Sequence, residues 1–171
     1  MNPTTTPTLK DRDGTDLIVV HCSATRATAD IGVREITQWH LQRGFDTVGY
    51  HYVIRRNGEL ETGRPETAIG AHAKGHNSRS VGVCLAGGVD ASNKPENNFT
   101  TAQFATLETL LEQLKSRYPT ARILGHRDLS PDRNGDGKIT PNEFTKACPS
   151  FDVSEWLSGR ISNSLNPANT N

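Results

Sequence analysis

The chain has 171 residues, enough for one domain with a buried core. Hydrophobic residues make up 33% and charged residues 22%, and 19 basic side chains cancel 19 acidic ones, so no net field favours nucleic acid or an anionic membrane as the main partner. No apolar run approaches the roughly 20 residues of a membrane span, the opening MNPTTTPTLKDRDG lacks the apolar core of a secretory signal, and an odd count of 3 cysteines argues against a disulfide framework.

In chain order, residues 1–14 are rich in Thr and Pro and are expected to form a flexible arm. DLIVVH (Asp16–His21) is a continuous apolar run that reads as a buried strand. IGVREITQWHLQRG places Val33, Ile36, Trp39 and His40 at helical spacing, with Gly44 available to end the helix. GYHYVIRRNGELETG is two short runs around Asn57-Gly58, a hairpin signal. SVGVCLAGG (Ser80–Gly88) reads as another buried strand, ended by glycines. In TTAQFATLETLLEQLKSRYP, Thr100 and Gln103 form a capping box, Phe104, Leu107, Leu110, Leu111 and Leu114 make one apolar face, and Pro119 closes the helix. RILGH (Arg122–His126) is a further short strand, and DVSEWLSGRI has Asp152 and Glu155 at capping spacing for a last helix. The tail over 161–171 reads as frayed. The order β, α, hairpin, β, α, β predicts a single α/β domain over 15–160, a central mixed β-sheet flanked by helices.

Cys22 and Cys84 sit inside apolar runs and read as buried thiols, whereas Cys148 in KACPSF lies outside any periodic segment. His21 and His126 end the first and last strands, and strand ends in α/β sheets open onto a shared crevice. Two imidazoles and a thiolate give a three-ligand zinc site with an open fourth position, which suits catalysis better than structure. The plainer alternative is a pair of hydrogen-bonded strand-end histidines.

The stretches VVHCSAT, GYHYVIRRNGELETGRP, GAHAKGHNSRSVGVCLAGG, GHRDLSP and KACPSFDV occur in that order. Together, over about residues 16–157, they resemble the zinc-dependent N-acetylmuramoyl-L-alanine amidases, the family of bacteriophage lysozyme-amidases and animal peptidoglycan recognition proteins. The resemblance implies a mixed sheet flanked by helices and an enzyme that cuts bacterial peptidoglycan between N-acetylmuramic acid and the L-alanine of the stem peptide. It implies zinc held by His21, His126 and Cys148, catalytic roles for Tyr50 and Lys146, and a place for His72 in the substrate cleft. Zinc would supply an activated water and polarise the scissile carbonyl. Lys146 would stabilise the oxyanion, and Tyr50 would hold the water or pass a proton to the leaving amine. As alternatives, Tyr50 reads as a sheet residue beside Val48 and Tyr52, and Lys146 as a solvated lysine.

One segment departs from the family pattern. DRNGDGKITPNE (132–143) carries Asp132, Asn134, Asp136, the Lys138 carbonyl, Thr140 and Glu143 at positions 1, 3, 5, 7, 9 and 12 of a calcium-binding loop, with Gly137 at the sharp turn and Ile139 at the apolar eighth. Calcium is therefore expected as a second metal, bound between two zinc ligands and ordering the active site. The alternative is a Gly-rich surface turn. Pro131 before the loop and Pro149 soon after it leave no room for a pair of calcium-hand helices, which argues against a calcium sensor. The expectation is a monomeric endolysin, made in the cytoplasm without a signal peptide or membrane anchor and acting on the cell wall after release. A non-catalytic peptidoglycan-binding protein and a regulator of a polymerase are the competing readings.

Overall fold

The computed structural model describes residues 6–159. The elements are β1 (Leu17–Cys22), β2 (Thr25–Arg26), α1 (Val33–Gln42), β3 (Tyr52–Ile54), β4 (Leu60–Thr62), β5 (Ser80–Leu85), β6 (Gly88–Val89), α2 (Thr101–Arg117), β7 (Arg122–Gly125) and α3 (Val153–Ser158), with short 3-10 turns at Asn77–Arg79, His126–Leu129 and Pro141–Glu143. Five strands form one sheet in the order β4-β3-β5-β1-β7, while β2 and β6 pair separately. The neighbours β3, β5, β1 and β7 are parallel and the edge strand β4 is antiparallel, which makes the sheet mixed. The expected single α/β domain is what the chain builds.

Alternation along β1 and β5 sends Ile18, Val20, Val81, Val83 and Leu85 to one face, where Leu107, Leu110, Leu111 and Leu114 of α2 cover them together with Val153 and Leu157 of α3. Each of those leucines contributes roughly 1.5–3 kcal/mol relative to exposure. Thr100 caps α2 as expected: its Oγ1 accepts from Gln103 N at 3.0 Å, and the Gln103 side chain accepts from Thr100 N at 3.0 Å. The opposite face holds Val53, Cys84 and Ala86 under Ile36 of α1. Helix α1 is narrower in its apolar stripe than expected, because Ile36 and His40 are buried but Trp39 is 39% exposed. The SVGVCLAGG run is also two elements, not one: Gly87 and Gly88 adopt φ of 131° and 105°, turn the chain out of the main sheet, and start β6 against β2.

Within the arm expected over 1–14, residues 10–13 are pinned to the body. Arg12 N donates to Thr67 O at 2.8 Å, Asp13 N to Ser78 O at 3.0 Å, and Ile69 N to Lys10 O at 2.8 Å. The Arg12 side chain adds a bond to Glu66 O at 2.8 Å. Residues 1–5 of that arm and the tail over 161–171 lie outside the described residues.

Candidate active site and metal centre

Parallel strands place their C-terminal ends along one edge of the sheet. In the β1–β7 register Val20 lies opposite Gly125, so the next residues, His21 and His126, emerge side by side. Their ring centroids are 4.5 Å apart. His126 itself opens the 3-10 turn after β7 and is not part of the strand. Cys148 arrives from the loop that follows, where Cys22 N donates to its Sγ at 3.2 Å and Arg127 N donates to its carbonyl at 2.9 Å. Among the described residues, His21, His126 and Cys148 are the one group of three or more His, Cys, Asp or Glu whose ligand atoms all lie within 4.8 Å.

The donor set fits zinc. His21 Nδ1 and Cys148 Sγ are 3.8 Å apart, and an imidazole nitrogen and a thiolate on one tetrahedral zinc lie roughly 3.6 Å apart. Burial, and then the neighbouring His72, His126 and Lys146, hold His21 well below the usual histidine range. Burial, then Lys146, pushes His126 down to about 4. Both imidazoles are therefore neutral at pH 7, with lone pairs to offer. The Cys148 thiol is pushed up by the neighbouring Cys22 thiol and by burial, so a bound cation is what would draw off its proton.

Around this cluster lies an open cleft of about 580 Å³, whose lining includes Tyr50, His72, Arg43, Lys74 and Lys146. Tyr50 sits just before β3, with its ring 5.1 Å from that of His21 and 5.5 Å from that of His40. It packs against the α1-side core. Burial, then the Cys84, Cys148 and Cys22 thiols, holds its hydroxyl well above the usual range, so it stays protonated at neutral pH. Lys146 is exposed on the cleft wall beside His72 and His126.

His72 borders the cleft, but both its ring nitrogens are engaged within the protein, Nδ1 with His21 at 2.9 Å and Nε2 with Ser80 at 3.2 Å. Burial pushes it down to about 3. It lines the cleft where the sequence led us to expect it, with both ring nitrogens already partnered. Sequence reasoning missed Ser80, Arg43 and Lys74. No spacing flags them, since α1, the His72 loop and the start of β5 meet only in the fold.

In the segment 132–143 the expected calcium residues turn inward on the loop's own backbone. Asp132 accepts from Gly135 N and Gly137 N, both at 2.8 Å; Asn134 accepts from Asp136 N at 3.0 Å; Asp136 accepts from Lys138 N at 2.9 Å. Glu143 accepts from Thr140 N at 2.9 Å, Arg133 N at 2.9 Å and Asn134 N at 3.2 Å. These bonds, that of Thr140 first, hold its carboxyl below the usual range. Gly135 and Gly137 take φ of 73° and 80°, which the tight wrap requires. Asp132, Asp136 and Glu143 are not gathered as the zinc-type ligands are.

A family model described as N-acetylmuramoyl-L-alanine amidase matches residues 11–149. The chain belongs to that family. It is 51% identical to an endolysin of Klebsiella phage KP32 over 145 residues, 85% of this chain and 87% of that one. The structure of the N-acetylmuramoyl-L-alanine amidase LysC from Clostridium intestinale superposes with a TM-score of 0.72 at 25% identity, covering 94% of each chain. Drosophila PGRP-LB shares the fold at a TM-score of 0.68 and 22% identity, over 90% of this chain and 86% of that one. The matched span takes in both histidines, Tyr50, Lys146 and Cys148, so the cleft lies inside the family's domain.

Proposed function

We propose that this amidase is an endolysin that hydrolyses the amide between N-acetylmuramic acid and the L-alanine of the stem peptide, using zinc held by His21, His126 and Cys148. The observation that carries this reading is the convergence of those three ligand atoms at the floor of an open cleft. When bound, zinc supplies a Lewis acid and an acidified water. The rest is the work of the chain. The charged residues lining the cleft are Arg43, Lys74 and Lys146 beside its histidines, with no carboxylate among the described lining, which suits a substrate that carries carboxylates. Lys146 places a cation where the carbonyl oxygen gains charge, and this interaction is strongest near the transition state. Tyr50, kept protonated by burial, donates a hydrogen bond at the scissile amide and passes a proton toward the leaving amine. In this reading the protein works as a monomer. Among the described residues no helix is long and apolar enough to cross a membrane, and the site of action is the cell wall. The segment 132–143 is a calcium loop in this reading, supported by its ligand pattern and by the left-handed glycines at 135 and 137.

Digestion of purified peptidoglycan followed by mass analysis of the products tests the reaction. The expected products are stem peptides with a free L-alanine amino terminus. Cys148→Ser should lose most of both zinc and activity. Cleavage elsewhere, or full zinc occupancy in that variant, would overturn the assignment. A protein that only binds the wall would release no peptide.

A further inference from the structure

We infer that Ser80 and His72 form a hydrogen-bonded relay that fixes the tautomer of His21, so that its Nδ1 lone pair faces Cys148. The inference rests on the metal site proposed above. It follows from counting protons along a buried chain of groups. Ser80 Oγ lies 2.8 Å from the carbonyl oxygen of His76 and 3.2 Å from Nε2 of His72. A carbonyl cannot donate, so the single hydroxyl proton of Ser80 goes to His76 O. Ser80 Oγ is then an acceptor, and Nε2 of His72 must carry the proton it accepts. A neutral imidazole has one N–H, which leaves Nδ1 of His72 bare. That atom is 2.9 Å from Nε2 of His21, so Nε2 of His21 must donate to it. Neutral His21 then has its lone pair on Nδ1, the atom 3.8 Å from Cys148 Sγ.

The relay has little room to rearrange. His72 lies against two glycines: a Cβ on Gly82 would fall 2.6 Å from its Cγ, and one on Gly70 would fall 2.6 Å from its Cδ2. The backbone that carries the ring is held by Asn77, whose Oδ1 accepts from both His72 N and Ala73 N at 2.9 Å. His21 and His72 are 1% and 9% exposed, so water is a poor substitute for either partner. Ser80 is fixed as the first residue of β5, paired with Leu17 of β1. Metal-binding histidines are oriented by whatever accepts the other N–H, and loss of that acceptor weakens metal binding by about 10–100-fold. Here the acceptor is a second imidazole, itself oriented by a hydroxyl. Ser80 and His72 are positioning residues in this scheme and do not touch the substrate amide.

The test uses the full chain, stripped of metal and labelled with ¹⁵N at histidine. Long-range ¹H–¹⁵N spectra near neutral pH should show both His21 and His72 as the Nε2–H tautomer. An Nδ1–H tautomer at either residue would overturn the relay. In zinc competition against a chelator, His72→Leu should raise the zinc Kd by about 10–100-fold. His72→Asn, whose Oδ1 can stand where Nδ1 stood, should recover most of the loss. An unchanged Kd in a folded His72→Leu protein would also overturn the relay, and if that variant does not fold, the wild-type spectra decide. Those spectra need no metal, so they judge the relay even if the wild type took up no zinc, which would instead overturn the metal reading.

Discussion

His51 holds two stretches of backbone together. Its Nε2–H donates to Ala68 O at 2.7 Å, and its Nδ1 accepts from Gly82 N at 3.0 Å. Burial pushes it down to about 4, against about 6.5 in an unfolded chain. Above pH 6.5 neither state is protonated and the bridge is intact. As pH falls from 6.5 toward 4 the unfolded chain takes up a proton that the folded one refuses, so stability is lost across that window at up to about 1.4 kcal/mol per pH unit. Urea melts from pH 8 to pH 4 should show the loss. His51→Gln should be less stable at pH 8 but have a shallower slope, by up to one proton, between pH 6.5 and 4. Equal slopes would assign the acid sensitivity to other groups. The same scale governs turnover. Tyr50→Phe and Lys146→Ala should each lower kcat on intact peptidoglycan by roughly 10²-fold while retaining zinc. Wild-type rates in both would remove these side chains from the chemistry.

The segments that deliver Tyr50 and His72 are irregular chain, held by backbone bonds and close packing. Ala71 N donates to Gly49 O at 3.0 Å, Gly63 N to His51 O at 2.8 Å, and Arg64 N to Tyr50 O at 2.9 Å. A Cβ on Gly49 would lie 2.1 Å from Ala71 O, so only glycine lets these segments approach. Gly49→Ala should therefore cost about 1–3 kcal/mol and lower turnover as well, by shifting Tyr50 and His72 apart. Native melting and native turnover together would show that the layer yields freely. Regular elements were easier to read from sequence than this layer. Helix α2 was legible down to its cap, because the Thr100–Gln103 signal and the leucine spacing act locally. Helix α1 was less so: its period counts Trp39 with Ile36, but packing buries only one of them. His21, His126 and Cys148 were legible through the motifs around them. The relay was not, because which nitrogen of His72 carries a proton depends on the carbonyl of His76, and no sequence pattern encodes that contact.

At the scale of the molecule, the question is whether the segment 132–143 controls the cleft or only adds to the stability of the fold. The loop leaves and returns at a pinned base. Arg127 N bonds Cys148 O at 2.9 Å, Thr145 N bonds Ser130 Oγ at 3.1 Å, and the Arg127 guanidinium lies 4.6 Å from the centre of the Phe144 ring. These contacts tie the chain next to His126 to the chain that carries Lys146 and Cys148, independently of anything bound in the loop. Glu143 also closes the loop on itself, accepting from Arg133 N and Thr140 N. The pinned base motivates a narrower prediction than the expected ordering of the active site by calcium. The prediction is that a cation bound in the loop adds stability and leaves the ligand geometry alone. A lone loop of this type binds calcium at about micromolar to millimolar levels, and at 100 times its Kd the folded state gains about 2.7 kcal/mol. Melting the zinc-loaded protein across a calcium titration should raise Tm while turnover stays flat. Glu143→Ala should abolish the calcium shift and, having lost its bonds to Arg133, Asn134 and Thr140, melt earlier even without calcium. No shift up to millimolar calcium would make the segment a hydrogen-bonded turn and nothing more. A rise in turnover parallel to Tm would mean that the base yields, and binding would then be reciprocal, with zinc tightening calcium by the factor that calcium tightens zinc.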